Sequence, residues 1–318
     1  MRPEEIQRRF PDLVSGRFGS GDFQPEGGER ISDFTTRVSG AFDAVADRID
    51  DGEQAIVVTH GGVIQTIVGS IVGADDQSVM LVPSNASLTT IRLARGYADV
   101  YTYNDDLHLN GDAARPSGTR LRLIRHGQTE ANLEHRWWGR GETPLTEAGR
   151  LQAAALADVG TPFDAIVSSP SSRARETAAP AAATSGARVR IVDDLVEFHF
   201  GEWEGLTGLE ARAADPDAFR RIYDEGRDEP RGNTGESFAA AGSRFGAAAN
   251  AIATSGGGLI GVFTHGGVTR AYVAGLLGIP FSNRDVLPIQ RNTAHSEIIY
   301  GGSGPRVSSY NVAAHLGE

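Results

Sequence analysis

The chain has 318 residues, 40% of them hydrophobic, which allows two ordinary domains and supplies apolar material for a core. It contains no cysteine, and its 30 basic residues are all arginine, which excludes disulfides, thiolate metal sites, a cysteine nucleophile, Schiff-base lysines and a P-loop lysine. A net charge of −11 sets the surface against nucleic-acid backbones and anionic membranes, and no apolar run reaches spanning length, so a cytoplasmic protein with no nucleic-acid and no membrane partner is expected.

In chain order, the first hundred residues read as a partial copy of the last hundred. EGGER at 26–30 aligns with NTGES at 233–237, and VVTHGGVIQTIVGSIVG at 57–73 with VFTHGGVTRAYVAGLLG at 262–278. Asn85 aligns with Asn292, and VYTYNDDLHL at 100–109 with VSSYNVAAHL at 307–316. Residues 1–112 thus correspond to roughly 208–318 and form an incomplete C-terminal half-domain with nothing equivalent to 119–207. The half-copy is expected to hold a strand leading into THGG, a following helix and two later strands. Its missing strands would leave an open edge and an uncovered apolar face, a surface for homo-oligomerisation or for packing on the rest of the chain. Met1 stands where a WEG-type segment would just have ended, so it is expected to be an internal methionine of a longer tandem protein or the mark of a gene that lost its 5′ end, the alternative being a real fusion in which the half-copy packs on the catalytic domain. Small, polar, Pro-containing residues follow the half-copy, and 113–118 read as a linker.

Residues 119–318 alternate short apolar runs with helical stretches. LRLI at 121–124, FDAIVSS at 163–169 and LIGVFT at 259–264 read as buried strands. One helix starts near Thr146, with Leu151 and Leu156 facing inward; a second covers 172–184; a third begins at Ser237. This alternation implies an α/β fold, a three-layer α/β/α sandwich around a mostly parallel sheet.

In such folds ligands bind at the carboxyl ends of the strands, and the charged motifs fall there. Arg125, His126 and Gly127 follow LRLI, Arg173 follows FDAIVSS, Glu197 follows VRIVDDL, and His265 with Gly266 and Gly267 follows LIGVFT. Two arginines, two histidines and a carboxylate on one rim suit phosphoryl transfer. Guanidinium forks and helix N-termini bind the dianion, a neutral imidazole attacks phosphorus, and a carboxyl group protonates the leaving oxygen and later activates water.

RHGQTEAN at 125–132, GRGETPLTEAG at 139–149, SSPSSRARETA at 168–178, LVEFHFGEWEG at 195–205 and THGG at 264–267 together resemble the histidine phosphatase superfamily, also called phosphoglycerate mutase-like. The resemblance covers all of 119–318. It implies a phosphoglycerate mutase-like fold, His126 as the phosphorylated nucleophile and Glu197 as the proton donor. Arg125, Arg173, His265 and Asn132 would form the phosphate pocket, with no metal and no other cofactor. A small phosphorylated substrate is the implied partner. The sequence departs from the usual pattern at Glu142, where Asp is common, and at Ser171 and Ser172, where Leu and a long polar residue are usual; those departures bear on the substrate.

Other candidates read as structural. Glu202 and Glu204 compete with Glu197 for the carboxyl role, whereas Arg175 reads as a surface arginine. Gly235, Glu236 and Ser237 read as a turn and helix cap. His135, His199 and His295 have no recurring context, and His108 and His315 sit at equivalent structural places in the two copies. Trp137, Trp138 and Trp203 read as packing, and no histidine pair has helical metal-ligand spacing beside a carboxylate. The expected activity is therefore phosphomonoester hydrolysis on a small soluble metabolite. Mutase-type transfer is the alternative within the fold, and a regulatory or binding module with a degenerate first copy is the alternative from another class.

Overall fold

The computed structural model describes residues 24, 27–74, 79–94, 96–109, 118–158, 162–302 and 304–316. The residues bearing on the start of the chain (1–23) and most of the expected linker (113–117) lie outside these. Among the described residues the eight strands are β1 (Leu88–Ala94), β2 (Tyr97–Asp105), β3 (Thr119–Arg125), β4 (Ala165–Ser168), β5 (Val189–Ile191), β6 (Leu259–Thr264), β7 (His295–Gly301) and β8 (Gly304–Val312). The main helices are α1 (Ile31–Ala46), α2 (Gly61–Val72), α3 (Glu147–Asp158), α4 (Ser172–Ser185), α5 (Phe238–Ser255) and α6 (Gly266–Leu276).

All eight strands join one sheet in the order β1-β2-β8-β7-β3-β6-β4-β5. Strands β3, β6, β4 and β5 pair in parallel, while β7, β8 and the β1–β2 hairpin extend the sheet antiparallel. Side chains alternate across the parallel strands as a two-sided core requires. Ile124, Ile166 and Phe263 pack with Leu156, Ala178 and Ala181 of α3 and α4. Their neighbours Leu123, Val167 and Val262 belong to the core shared with Phe245 of α5 and Val268 of α6. The result is the three-layer α/β/α sandwich.

The helices begin where expected. Ser237 accepts from the Ala240 N–H and caps α5, and α3 starts just after Thr146, whose Oγ1 accepts from the Gly149 N–H. One expectation fails on α3: Leu156 is buried, but Leu151 is 66% exposed. Buried Ala153, Leu156 and Ala157 set the inward stripe, and Leu151 lies outside it.

The half-copy joins the sheet edge to edge, through an approximate two-fold relation. Tyr103 of β2 is opposite Tyr310 of β8, its own repeat equivalent 207 positions later. The Tyr103 hydroxyl donates to the Leu81 carbonyl and the Tyr310 hydroxyl to the Pro288 carbonyl, again equivalent positions. Asn104 and Asn311, both with left-handed backbone (φ 53° and 54°), exchange bonds across the junction. Asn104 Nδ2 donates to Ser308 O and Asn311 Nδ2 to Tyr101 O, each at 2.7 Å. Their Oδ1 atoms accept from Ser84 N and Arg291 N. The same residues therefore serve both sides of the contact, as in an isologous dimer interface.

The expected strand before THGG in the half-copy does not form. Residues 55–60 belong to no strand, whereas their equivalents make the wholly buried β6. β6 is held by β3 on one side and β4 on the other, and among the described residues the half-copy has neither. An unpaired backbone satisfies its polar groups with water instead.

Candidate active site

The carboxyl ends of β3, β4 and β6 bring the expected residues together. Arg125 ends β3 and His126 follows it; the His126 N–H donates to Thr264 O of β6, which ties the two strand ends together. Arg173 lies in the first turn of α4 after β4, and His265 is the residue before α6. His126 and His265 meet edge to face, with ring centroids 5.2 Å apart.

His126 is buried, and its Nδ1–H donates to the Gly127 carbonyl at 2.8 Å, which leaves Nε2 as the atom with a free lone pair. Burial, reinforced by Arg125 and Arg173, pushes its pKa well below the ordinary histidine value. His265 is shifted the same way by burial, then by Arg173. Both rings are therefore neutral near pH 7. His265 Nε2 is 2.9 Å from Ser169 Oγ, while its buried Nδ1 has no hydrogen-bond partner among the described residues. Arg125 donates through Nη1 to Gln290 O at 2.6 Å, and its buried Nε has no such partner either. Buried polar atoms left unpaired in a polar cleft mark a place where a ligand supplies the missing partner. Burial brings the Arg125 pKa down to about 10 and lowers that of Arg173, opposed in both cases by the nearby Glu197 carboxylate.

Glu197 lies across the start of α6. Its Oε2 accepts from Gly267 N at 2.8 Å, and its Oε1 from Val268 N at 2.7 Å and Phe198 N at 2.9 Å. A Cβ at position 267 would meet this carboxylate, so Gly267 is what permits the approach. Glu197 thus lies near the two arginines, Arg125 and Arg173, whereas Glu202 accepts from Asn233 Nδ2 at the surface. Asn132 is partly committed: its Oδ1 accepts from Thr129 N and from Asn292 Nδ2, leaving its own Nδ2 as the group free to face an anion.

Arg173 is buried and aligned by a loop. Its Nη2 donates to Gly139 O at 2.7 Å and its Nη1 to Gly141 O at 2.8 Å. The N–H groups of Gly139, Arg140 and Gly141 point the other way and converge on Glu204 Oε1, at 2.8, 2.9 and 3.0 Å. Glu204 therefore folds the loop that orients Arg173. Arg175, by contrast, is exposed. Two of the three unusual positions, Glu142 and Ser172, partner each other: the Glu142 carboxylate accepts from the Ser172 N–H and hydroxyl at the start of α4.

Residues 1–106 and 121–313 match the model of the histidine phosphatase superfamily (branch 1). The chain belongs to that superfamily. A Mycobacterium tuberculosis protein described as bifunctional is 46% identical over 129 residues, 39% of this chain, and the chain spans only 35% of that relative's length. A glucosyl-3-phosphoglycerate phosphatase of Mycolicibacterium vanbaalenii is 38% identical over 178 residues, 53% of this chain and 78% of the relative. The solved mycobacterial glucosyl-3-phosphoglycerate phosphatase superposes with a TM-score of 0.54 at 30% identity, over 62% of this chain and 100% of that one.

Within this histidine phosphatase site, sequence reasoning passed over several supports. Thr177 Oγ1 accepts from Gly127 N and donates to Arg173 O, linking the nucleophile loop to α4. Asn292 Nδ2 donates to His126 O as well as to Asn132. Arg244 clasps the loop after β5 that carries Glu197, donating to the carbonyls of Asp194, Val196 and Glu197 while paired with Glu236. The signal for Asn292 was present in its repeat partner Asn85, and Thr177 stood inside a recognised motif; nothing local marked Arg244. Among the described residues no cluster of His, Asp and Glu could hold a metal ion, and no helix is long and apolar enough to cross a membrane.

Proposed function

We propose that residues 119–318 hydrolyse a phosphomonoester of a small metabolite in the cytoplasm, through a phosphohistidine on His126 and without a metal or other cofactor. The observation that carries this reading is the His126 ring. It is neutral by burial, it is fixed through Nδ1, and it sits beside the unpartnered Arg125 Nε and His265 Nδ1. The Nε2 lone pair attacks phosphorus and the bond to the ester oxygen breaks, while Glu197, in its protonated form, gives its proton to that oxygen. Water then attacks the phosphorus, Glu197 takes its proton, the P–N bond breaks, and phosphate and neutral His126 are released. Arg125, Arg173, His265 and the Asn132 amide hold the equatorial oxygens, whose charge grows in the transition state. Residues 1–112, joined through the linker 113–118, lack counterparts of His126, Arg173 and Glu197 and contribute no chemistry. The substrate class is supported by relatives named as phosphatases of glucosyl-3-phosphoglycerate. The test is rapid acid-free quenching of the full chain during turnover of an aryl phosphate in the presence of chelator. A base-stable, acid-labile phosphate on His126 is expected, absent together with activity in His126→Ala. Turnover by His126→Ala, or turnover that requires a divalent ion, would refute the proposal.

A further inference from the structure

Glu197 lies on a stretch of chain without regular structure: after β5, residues 196–200 belong to no helix or strand. Backbone groups withdrawn from water outside helices and strands need partners of their own. Two side chains near the N-terminal end of α5 supply them. Arg244 donates through Nη1 to the Asp194 and Val196 carbonyls at 2.6 and 3.1 Å, and through Nη2 to the Glu197 carbonyl at 3.3 Å. Glu236 takes the His199 N–H on its Oε2 at 2.9 Å, while its own N–H donates to the His199 carbonyl at 2.8 Å. The two side chains are joined as a fork, Arg244 Nε to Glu236 Oε1 at 2.8 Å and Nη2 to Oε2 at 2.9 Å. The backbone is therefore held on both sides of Glu197, by groups that are not among the hydrogen-bond partners of its carboxylate.

The half-copy contains the same pair without the segment it serves. Arg37 and Glu29 occupy the positions equivalent to Arg244 and Glu236. They make the same fork, Nε to Oε1 at 2.9 Å and Nη2 to Oε2 at 2.7 Å. The half-copy has no counterpart of Glu197, and among the described residues Arg37 has no carbonyl to hold. The fork is thus set by the helix and the turn before it, and it forms whether or not an acid-bearing segment lies against it. What differs is the exposure. The Arg37 and Glu29 side chains are 61% and 37% exposed, those of Arg244 and Glu236 17% each. Withdrawn from water, the second fork holds its carbonyls more firmly.

We propose that Arg244 and Glu236 are a positioning pair for proton transfer: they fix the backbone on either side of Glu197 so that its carboxyl group meets the leaving oxygen of the bound ester. This rests on the reading of Glu197 as the proton donor. The carboxylate has contacts of its own, but one of its three donors, Phe198 N, belongs to the same stretch, and the other two, Gly267 N and Val268 N, are fixed in α6. A shift of the backbone at 197 therefore costs the carboxylate either its place on α6 or its reach to the ester. Proton transfer requires the heavy atoms within about 2.6–3.2 Å, so a shift of about an ångström suffices to impair it. The rest of the pocket is held by other groups: Arg173 by the Gly139 and Gly141 carbonyls, His126 by the Gly127 carbonyl. Arg244 also adds, after burial and the charges of Arg173, His126 and Arg125, to what keeps His265 neutral. A loss by that route would slow every phosphate ester alike, which separates it from misplacement of the acid.

The test compares, in the full chain, an alkyl phosphate, whose oxygen needs a proton to leave, with a nitrophenyl phosphate, whose oxygen does not. The readout is the ratio of the two kcat/KM values, which does not depend on the fraction of protein that is folded. Arg244→Ala is expected to lower the alkyl-to-aryl ratio at least about tenfold. Arg244→Lys, which keeps a charge and donors but not the fork, should lower it by a smaller factor, and it decides the matter if the alanine variant does not fold. Glu197→Gln should lower the ratio further, and adding Arg244→Ala to Glu197→Gln should change it less than about twofold. Arg37→Ala, at the equivalent pair, should leave it unchanged. Arg244 is substituted in preference to Glu236 because Glu236 also lies 3.7 Å from Arg140, on the loop that aligns Arg173. The positioning role is overturned if the Arg244 variants slow both substrates alike, if the losses multiply in the double variant, or if Arg37→Ala lowers the ratio as much. A ratio left unchanged by Glu197→Gln itself would place the proton donor elsewhere, and both readings would fall.

Discussion

Glu204→Gln should weaken catalysis by acting entirely through Arg173. Glu204 touches no reacting group. Its Oε1 gathers three backbone N–H groups of the 139–141 loop, and the loop carbonyls in turn hold the Arg173 guanidinium. Glutamine keeps an acceptor oxygen of the same reach but loses the charge. Hydrogen bonds to charged groups contribute about 1.5–3 kcal/mol against about 0.5–1.5 for neutral ones, so the three bonds together weaken by about 3–4.5 kcal/mol if they add. Glutamine also brings an NH2 group to the place where the buried Oε2 has no partner. Much of that loss appears as a looser loop and not as lost activity, so a fall in kcat/KM of about 10- to 100-fold is expected. The decisive assay is a double-mutant cycle on an aryl phosphate. With Arg173→Ala already present, adding Glu204→Gln should cost less than about twofold, because the group it orients is gone. Independent losses that multiply in the double variant would show that Glu204 acts on the substrate or on general stability, and would refute the chain from Glu204 through the loop to Arg173.

Arg173→Ala should lower kcat/KM at least about a hundredfold, the scale of one lost transition-state contact, and Arg175→Ala, at the exposed neighbour, less than about threefold; equal losses would misplace the pocket. Glu197→Gln should slow alkyl phosphates far more than a nitrophenyl phosphate, whose oxygen leaves without a proton, and a uniform loss across leaving groups would move the acid elsewhere. Acid should destabilise the fold early. His126, His265 and His315 all have pKa values lowered by burial, His315 to about 4, so the folded chain refuses protons that the unfolded chain accepts near 6.5. Their stabilising effect is complete above about pH 6.5 and is lost as pH falls below it, at up to about 1.4 kcal/mol per pH unit for each group. Denaturant titrations at pH 7, 6 and 5.5 should show a shallower decline in His315→Gln, and an unchanged slope would contradict the assignment.

The strands of 119–318 were legible because each is a short apolar run bounded by turn residues, and the sandwich follows from alternating them with helices. Arg125, His126, Arg173, Glu197 and His265 were legible because a sheet of parallel strands puts every strand's carboxyl end on one rim, so residues far apart in sequence share a place. What the sequence hid depends on backbone direction. Glu204 looked like a spare carboxylate because its partners are main-chain N–H groups, which no residue type advertises. Arg244 lies deep in a helix of alanines and glycines, and it holds three carbonyls some fifty positions upstream. Leu151 misled because helical spacing gives a face and not its orientation.

The half-copy shows the limit of reading a strand from its own residues. AIVVTH at 55–60 is as apolar as GVFTH at 261–265, yet only the second is a strand. β-structure is a property of pairs: an isolated extended segment gains no ladder hydrogen bonds and buries no face, whatever its composition. β1 and β2 form because they pair with each other and because β2 meets β8. That second contact explains how an incomplete unit stays ordered. It draws on residues the complete unit already has for the same purpose, since Tyr310 and Asn311 make on their side the bonds that Tyr103 and Asn104 make on the other. Substituting one asparagine should therefore damage both copies at once. In Asn104→Ala the Ser308 carbonyl and the Ser84 N–H both lose their partner, at roughly 1–3 kcal/mol for each group left buried and unpaired. The left-handed backbone at φ 53° would also hold an alanine, which tolerates it less well than asparagine. The change sits on β2, but one of its two lost bonds is to β8, so the edge of the catalytic unit shares the loss.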